Sequence, residues 1–152
     1  MTATAAATAL KMTKFIKAKR QKVYEAWTRP ELLKQWMGPQ GTVVRSATAD
    51  GKVGGSYRVV MESTGEGMGA VGSQWIVAGK YQELVPGEKV VLTWKWENGD
   101  AADTLVTVTL KEKDGGTEMT LVHERFTNAD QVKSHEHGWI GSFEKMAALL
   151  GA

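Results

Sequence analysis

Cysteine is absent from the 152 residues. No disulfide can staple the fold, and no thiolate can act as nucleophile or metal ligand. The expectation is a reducing, cytoplasmic setting. Long apolar runs are also missing: nothing approaches the about 18 residues that would suggest a membrane-spanning helix. The opening MTATAAATAL has neither a basic start nor a strong apolar stretch, so a secretory leader is not expected. Charge of one sign is not in excess, with 19 Lys and Arg against 17 Asp and Glu. Nucleic-acid-binding domains run more basic, so no nucleic-acid partner is expected. The one basic cluster, Lys14 to Lys22, reads as a solvated edge between a strand and a helix. Histidine is scarce, at three residues, which leaves little from which to build a metal site.

Tryptophan, by contrast, is abundant, at six residues. That number in a domain of this size implies a bulky core or an aromatic-lined cavity, and two to four of the six are expected to touch a cavity. The chain length suits one domain, placed at residues 8–150 behind a flexible stretch at 1–7.

The periodicity changes twice along the chain. From Thr8 to Ala18 a loose alternation predicts a strand. In KRQKVYEAWT, Val23, Ala26 and Trp27 fall at helical spacing. TRPELLKQWMGP begins again, with Thr28 and Glu31 in a capping-box pattern and Pro30 in the first turn, and it stops at Gly38-Pro39. Then the period becomes two. GTVVRSATAD, GGSYRVVMES, SQWIVAGKYQELVP, KVVLTWKWENG, DTLVTVTLKEKDGG and TEMTLVHERF alternate apolar and polar residues. Turn signals at Asp50-Gly51, Gly65–Gly72, Pro86-Gly87, Asn98-Gly99 and Asp114–Gly116 separate them. This predicts an antiparallel meander. The last element returns to helical spacing: Val132, His135, Trp139, Phe143, Met146 and Leu150 recur at steps of three and four, behind Asn128 as N-cap with Gln131 three residues on.

The predicted order is β-α-α-β6-α, an α+β fold. A curved antiparallel sheet of six to seven strands must cover its apolar face, and the terminal helix must bury its stripe. Wrapping the sheet around the helix does both. One helix cannot fill a wide curved sheet, so a cavity is expected between them.

Several motifs invite sharper readings. His135 and His137 stand two apart, about 200° around a helix, so one helix cannot aim both at one metal. His135 lies on the apolar stripe and His137 reads as a surface residue. GMGAVG, Gly67 to Gly72, matches G-x-G-x-x-G, but a strand pattern follows it where a dinucleotide site needs a helix; it reads as a hairpin loop. Gly138 costs up to about 1 kcal/mol against Ala in a helix interior. Either a close approach of helix to sheet or room for a ligand beside Trp139 would account for it. In VHERF, His123 and Arg125 share a strand face with Met119 and Leu121. His123 could then be a general acid or base, a polar anchor for a ligand, or a structural hydrogen-bonding group. No nucleophile elbow of the G-x-S-x-G type is present.

The segments VYEAWTRPELLKQWMGP, VGGSYRVVM, GKYQELVPGEKVVLTWKWE, TLVTVTL, GTEMTLVHERF and HGWIGSFEKMAALL, in this order, resemble the domain named for the activator of Hsp90 ATPase. That domain belongs to the START-like (Bet v 1-like) helix-grip superfamily, and the resemblance covers about residues 8 to 150. It implies the helix-grip fold. It also implies one of three activities: carriage of a small apolar ligand, co-chaperone-like interaction with an Hsp90-type chaperone in stress response, or cyclase- or hydrolase-type catalysis. The leading expectation is binding of a small hydrophobic, aromatic-containing molecule, without cofactor, metal or membrane. The cavity-lining candidates are Trp36, Arg58, Trp75, Trp94, Trp96, Met119, Leu121, His123, His135, Trp139 and Phe143. Monomer and homodimer are both open, the latter if Trp36 and Met37 are exposed.

Overall fold

The computed structural model describes residues 2–5, 8–66, 69–98 and 103–151. Eleven elements follow in order. They are β1 (Thr2–Ala5), β2 (Ala9–Ile16), α1 (Arg20–Thr28), α2 (Pro30–Trp36), β3 (Thr42–Ala49), β4 (Ser56–Ser63), β5 (Gln74–Val85), β6 (Lys89–Trp96), β7 (Thr104–Lys113), β8 (Gly116–Glu124) and α3 (Ala129–Gly151). The strands make one antiparallel sheet in the order β1-β2-β8-β7-β6-β5-β4-β3. The meander β3 to β8 is thus closed by the first long strand, β2, laid beside β8 with Leu10 opposite His123 and Met12 opposite Leu121. The reading of 1–7 as a flexible terminus did not foresee β1, whose Thr2 to Ala5 pair with Thr13 to Leu10.

Side-chain alternation decides which face looks inward. On β6, Val90, Leu92 and Trp94 are buried, on β7 Val106, Val108 and Leu110, and on β8 Met119, Leu121 and His123. The core is therefore the concave face of a curled sheet. Register shifts between Val44 and Ser46 and between Tyr81 and Glu83 help bend the strands. Gly79 allows a close approach of β5 to β6: a Cβ there would lie 2.1 Å from the Thr93 carbonyl oxygen.

α3 begins where Asn128 caps it. The Asn128 Oδ1 accepts from the Gln131 amide at 2.9 Å, and the Gln131 Oε1 accepts from the Thr127 amide at 3.0 Å. The reciprocal bond reaches one residue further back than in the usual capping box. The expected box at Thr28 does not form. Arg29 is the N-cap of α2 without a side-chain bond, and the Thr28 hydroxyl turns back to donate to the Tyr24 carbonyl at 3.2 Å. Pro30 does open the helix, where its missing N–H costs nothing. Gly69 and Gly72 of the GMGAVG stretch have positive φ and precede β5 directly, so this part is a loop; Gly67 and Met68 lie outside the described residues. So does Gly99 of the Asn98-Gly99 turn. No helix among the described residues is long and apolar enough to cross a membrane.

The two halves of the core differ. At one end α1 and α2 fill the space. Trp27 and Trp36 meet edge-on at 4.7 Å, and Phe143 of α3 packs on both at 6.2 and 6.4 Å. Their polar tips are satisfied locally: Trp36 Nε1 donates to the Ala26 carbonyl at 2.8 Å, and Trp27 Nε1 to Met119 Sδ at 3.4 Å. Trp36 and Met37 are buried, so the exposed pair on which the homodimer expectation stood is not present. At the other end α3 alone faces the sheet, and there the packing opens.

Candidate functional site

Between α3 and strands β4, β5 and β6 lies a cavity of about 260 Å³. Its sheet side is built by Met61, Trp75, Trp94 and Trp96, and its helix side by Ser134, His135, Gly138, Trp139 and Ser142. The loop from α2 to β3 closes one end with Met37, Gly38, Pro39 and Thr42. The lining is mostly apolar. Trp94 and Trp139 approach to 4.9 Å and Trp94 and Trp96 meet perpendicular at 5.6 Å, so the wall is a continuous aromatic surface.

Gly138 explains why the space exists. A Cβ built on it would meet nothing within 4 Å. It is room, not close approach, that this glycine provides. The close approach is made one helical turn on, at Gly141, where a Cβ would stand 2.7 Å from the Gln40 amide nitrogen. Gly141 lets α3 press on the loop after α2, and Gly138 leaves the helix face bare beside Trp139.

Two imidazoles brace the aromatic wall. His135 Nδ1 lies 2.7 Å from the Gln131 carbonyl, which can only accept, so Nδ1 carries the proton and Nε2 accepts from Trp96 Nε1 at 2.9 Å. The Thr104 hydroxyl donates its one hydrogen to the Trp94 carbonyl at 2.8 Å. His123 Nε2, 2.7 Å from that hydroxyl, is therefore the donor to it. His123 Nδ1 is left to accept from Trp139 Nε1 at 3.0 Å. Both rings are neutral, and all four nitrogens are engaged. Burial, reinforced by the nearby His135, holds the His123 imidazole well below its ordinary value. Burial also lowers His135, partly offset by its bond to the Gln131 carbonyl.

The structure thus brings together five of the expected residues: Trp75, Trp94, Trp96, His135 and Trp139. The others lie elsewhere. Trp36, Met119, Leu121 and Phe143 belong to the filled core. His123 is fully buried behind Trp139 and does not line the cavity. Arg58 points to the opposite face, where its guanidinium makes two bonds to the Glu97 carboxylate at 2.9 and 3.0 Å. Its strand neighbours Tyr57 and Val59 take the inward parity. Arg125 does not share the face of His123, because β8 ends at Glu124 and Arg125 turns out with φ 74°. The sequence reading missed Met37, Pro39, Thr42, Met61, Ser134 and Ser142. Of these, Met61 has the right parity on β4, and Ser142 stands one turn after Gly138; the loop residues carry no periodic signal. His137 is exposed, as its helical angle to His135 requires. Among the described residues no cluster of three His, Asp or Glu could hold a metal ion.

Residues 17–151 match the family described as "Activator of Hsp90 ATPase homolog 1-like protein". A comparison with curated proteins gives no match. Among solved structures, a protein from Chromobacterium violaceum is 27% identical, with a TM-score of 0.85, over 95% of this chain and 98% of that one. The AHSA1 protein from Silicibacter pomeroyi is 26% identical, with a TM-score of 0.79, over 92% of this chain and 95% of that one. A protein from Mycobacterium smegmatis, 18% identical over the whole of this chain and 97% of that one, has a TM-score of 0.81 and shares the fold. With most of its length matched and the curled sheet closed on a long terminal helix, this chain belongs to the family of Activator of Hsp90 ATPase homolog 1-like proteins.

Proposed function

We propose that the protein binds a small hydrophobic, aromatic-containing molecule in the cavity between the sheet and α3. The observation that carries this reading is the bare helix face at Gly138, beside Trp139 and opposite the three strand tryptophans Trp75, Trp94 and Trp96. A helix made only to pack would carry a side chain there, since glycine costs up to about 1 kcal/mol and leaves the space unfilled. A rigid, apolar wall of indoles suits an aromatic guest, which gains offset or edge-on contacts as well as burial. His123 speaks against catalysis as its role. Neither nitrogen is free to take or give a proton, and the ring does not reach the cavity.

The test is a thermal-shift screen against apolar aromatic compounds, with tryptophan emission recorded in parallel. A ligand at 100 times its Kd stabilises the fold by about 2.7 kcal/mol. We expect a clear upward shift with altered emission in the wild type and neither in Gly138→Phe, whose side chain occupies the open volume. A Gly138→Phe protein that still responds like the wild type places binding outside this cavity. An Hsp90-type chaperone as partner rests on the family description alone; co-precipitation with the purified chaperone would support it.

A further inference from the structure

The hydrogen-bonding groups of the cavity wall are almost all spent on the protein itself. The Thr42 hydroxyl donates to the Pro39 carbonyl at 2.7 Å, and the Ser142 hydroxyl to the Gly138 carbonyl at 2.9 Å. The Ser134 hydroxyl donates to the Gln131 carbonyl at 3.1 Å. The indole N–H groups of Trp96 and Trp139 are taken by His135 and His123. One buried donor is left over. Trp94 Nε1 is buried, and among the described residues it is the one buried side-chain nitrogen or oxygen without a partner. Trp94 lines the cavity and, as a residue, is 4% exposed. A buried unpaired donor costs about 1–3 kcal/mol, so its retention at a ligand-sized space points to an acceptor supplied from outside.

The charge of the wall narrows the class further. None of its residues is Lys, Arg, Asp or Glu, and its single imidazole is held neutral by two hydrogen bonds. An ion entering it would lose its hydration without a counter-charge, a large penalty.

Building on the cavity reading, we propose that the molecule bound is uncharged and presents a hydrogen-bond-accepting oxygen, such as a ketone, aldehyde or ester carbonyl, to Trp94 Nε1. Trp94 is then a specificity-determining residue. The three other tryptophans of the wall supply the apolar contact surface.

The experiment compares three probes of similar size by calorimetric titration: benzylacetone, a neutral ketone; butylbenzene, its hydrocarbon counterpart; and hydrocinnamate, the carboxylate. Each is titrated into wild type and Trp94→Phe, so that the differential effect isolates the hydrogen bond from the change in ring size. The expected result is that Trp94→Phe weakens benzylacetone about five-fold more than butylbenzene, the equivalent of one neutral hydrogen bond, and that hydrocinnamate binds most weakly to both proteins. Equal weakening of ketone and hydrocarbon, or a preference for hydrocinnamate, overturns the proposal while the cavity reading stands. Failure of all three to bind the wild type overturns the cavity reading and this proposal together. If Trp94→Phe does not fold, the indole N–H resonance of Trp94 in the wild type decides. It should move downfield with benzylacetone and not with butylbenzene, and an equal response to both overturns the proposal.

Discussion

Single residues set the character of this protein more than its composition does. Gly138 is the sharpest case. Because a Cβ there has no neighbour within 4 Å and the helix gains from losing a glycine, Gly138→Ala should raise stability by about 0.5–1 kcal/mol, read as a higher midpoint in urea. Gly141→Ala should do the opposite, because its Cβ would drive into the backbone of Pro39 and Gln40. The two glycines are three apart on one helix and look alike in the sequence. What separates them is the loop after α2, which reaches one of them and not the other. His123 teaches the same lesson. Alternation put it on the same face of β8 as Met119 and Leu121, but the occupation of both its nitrogens depended on Trp139 and Thr104, which arrive from α3 and β7.

At the level of elements, caps and close crossings carry the testable weight. Asn128 caps α3 through its carboxamide oxygen, so Asn128→Ala should cost about 1 kcal/mol, measured as a lower midpoint of chemical unfolding. β5 passes β6 at Gly79, where an added methyl group would collide with the Thr93 carbonyl. Gly79→Ala should therefore destabilise by about 1–3 kcal/mol, with slower hydrogen exchange lost first in β5 and β6. The strands and the division of each into an apolar and a polar set were legible from period-two alternation, but which set faces inward was not: Arg58, expected in the cavity, stands on the outer face with Glu97. The cap of α2 was not legible either. Thr28 and Glu31 have the right spacing, yet Thr28 belongs to the last turn of α1 and spends its hydroxyl on the Tyr24 carbonyl.

For the molecule as a whole, the two braced histidines couple stability to pH. His123 and His135 are both depressed in the folded state, chiefly by burial. The unfolded chain takes up protons near the ordinary imidazole value of about 6.5, while the folded protein resists. Their contribution is therefore fully present above that value and is lost as pH falls from it toward the folded values. The thermal midpoint should be level from pH about 8 to about 7 and decline below about 6.5. Replacing His135 with Gln should make that decline shallower; an unchanged slope would mean that His135 titrates alike in both states. Protonation of either ring would also set an N–H against an indole N–H, so acid should loosen Trp96 and Trp139 and change the emission before the backbone unfolds.

The sequence by itself determined the class of fold, because hydrophobic period is a local property. Period two marks a sheet with one covered face, period 3.6 marks a helix with one buried stripe, and only a few arrangements satisfy both at once. It also determined that Trp94 and Trp96 would share one face of their strand, by alternation, and that Trp139 would lie on the helix stripe, by spacing; that this strand face looks toward α3 came from the tertiary structure. Only the tertiary structure decided which rings fill the core and which border a cavity. Trp27 and Trp36 are buried because two helices cover that end of the sheet. Trp75, Trp94, Trp96 and Trp139 border open space because α3 stands alone at the other end and turns Gly138 toward them. The unpaired Trp94 Nε1 was likewise invisible in one dimension, because a donor is left over only after every neighbour in space has chosen its partner.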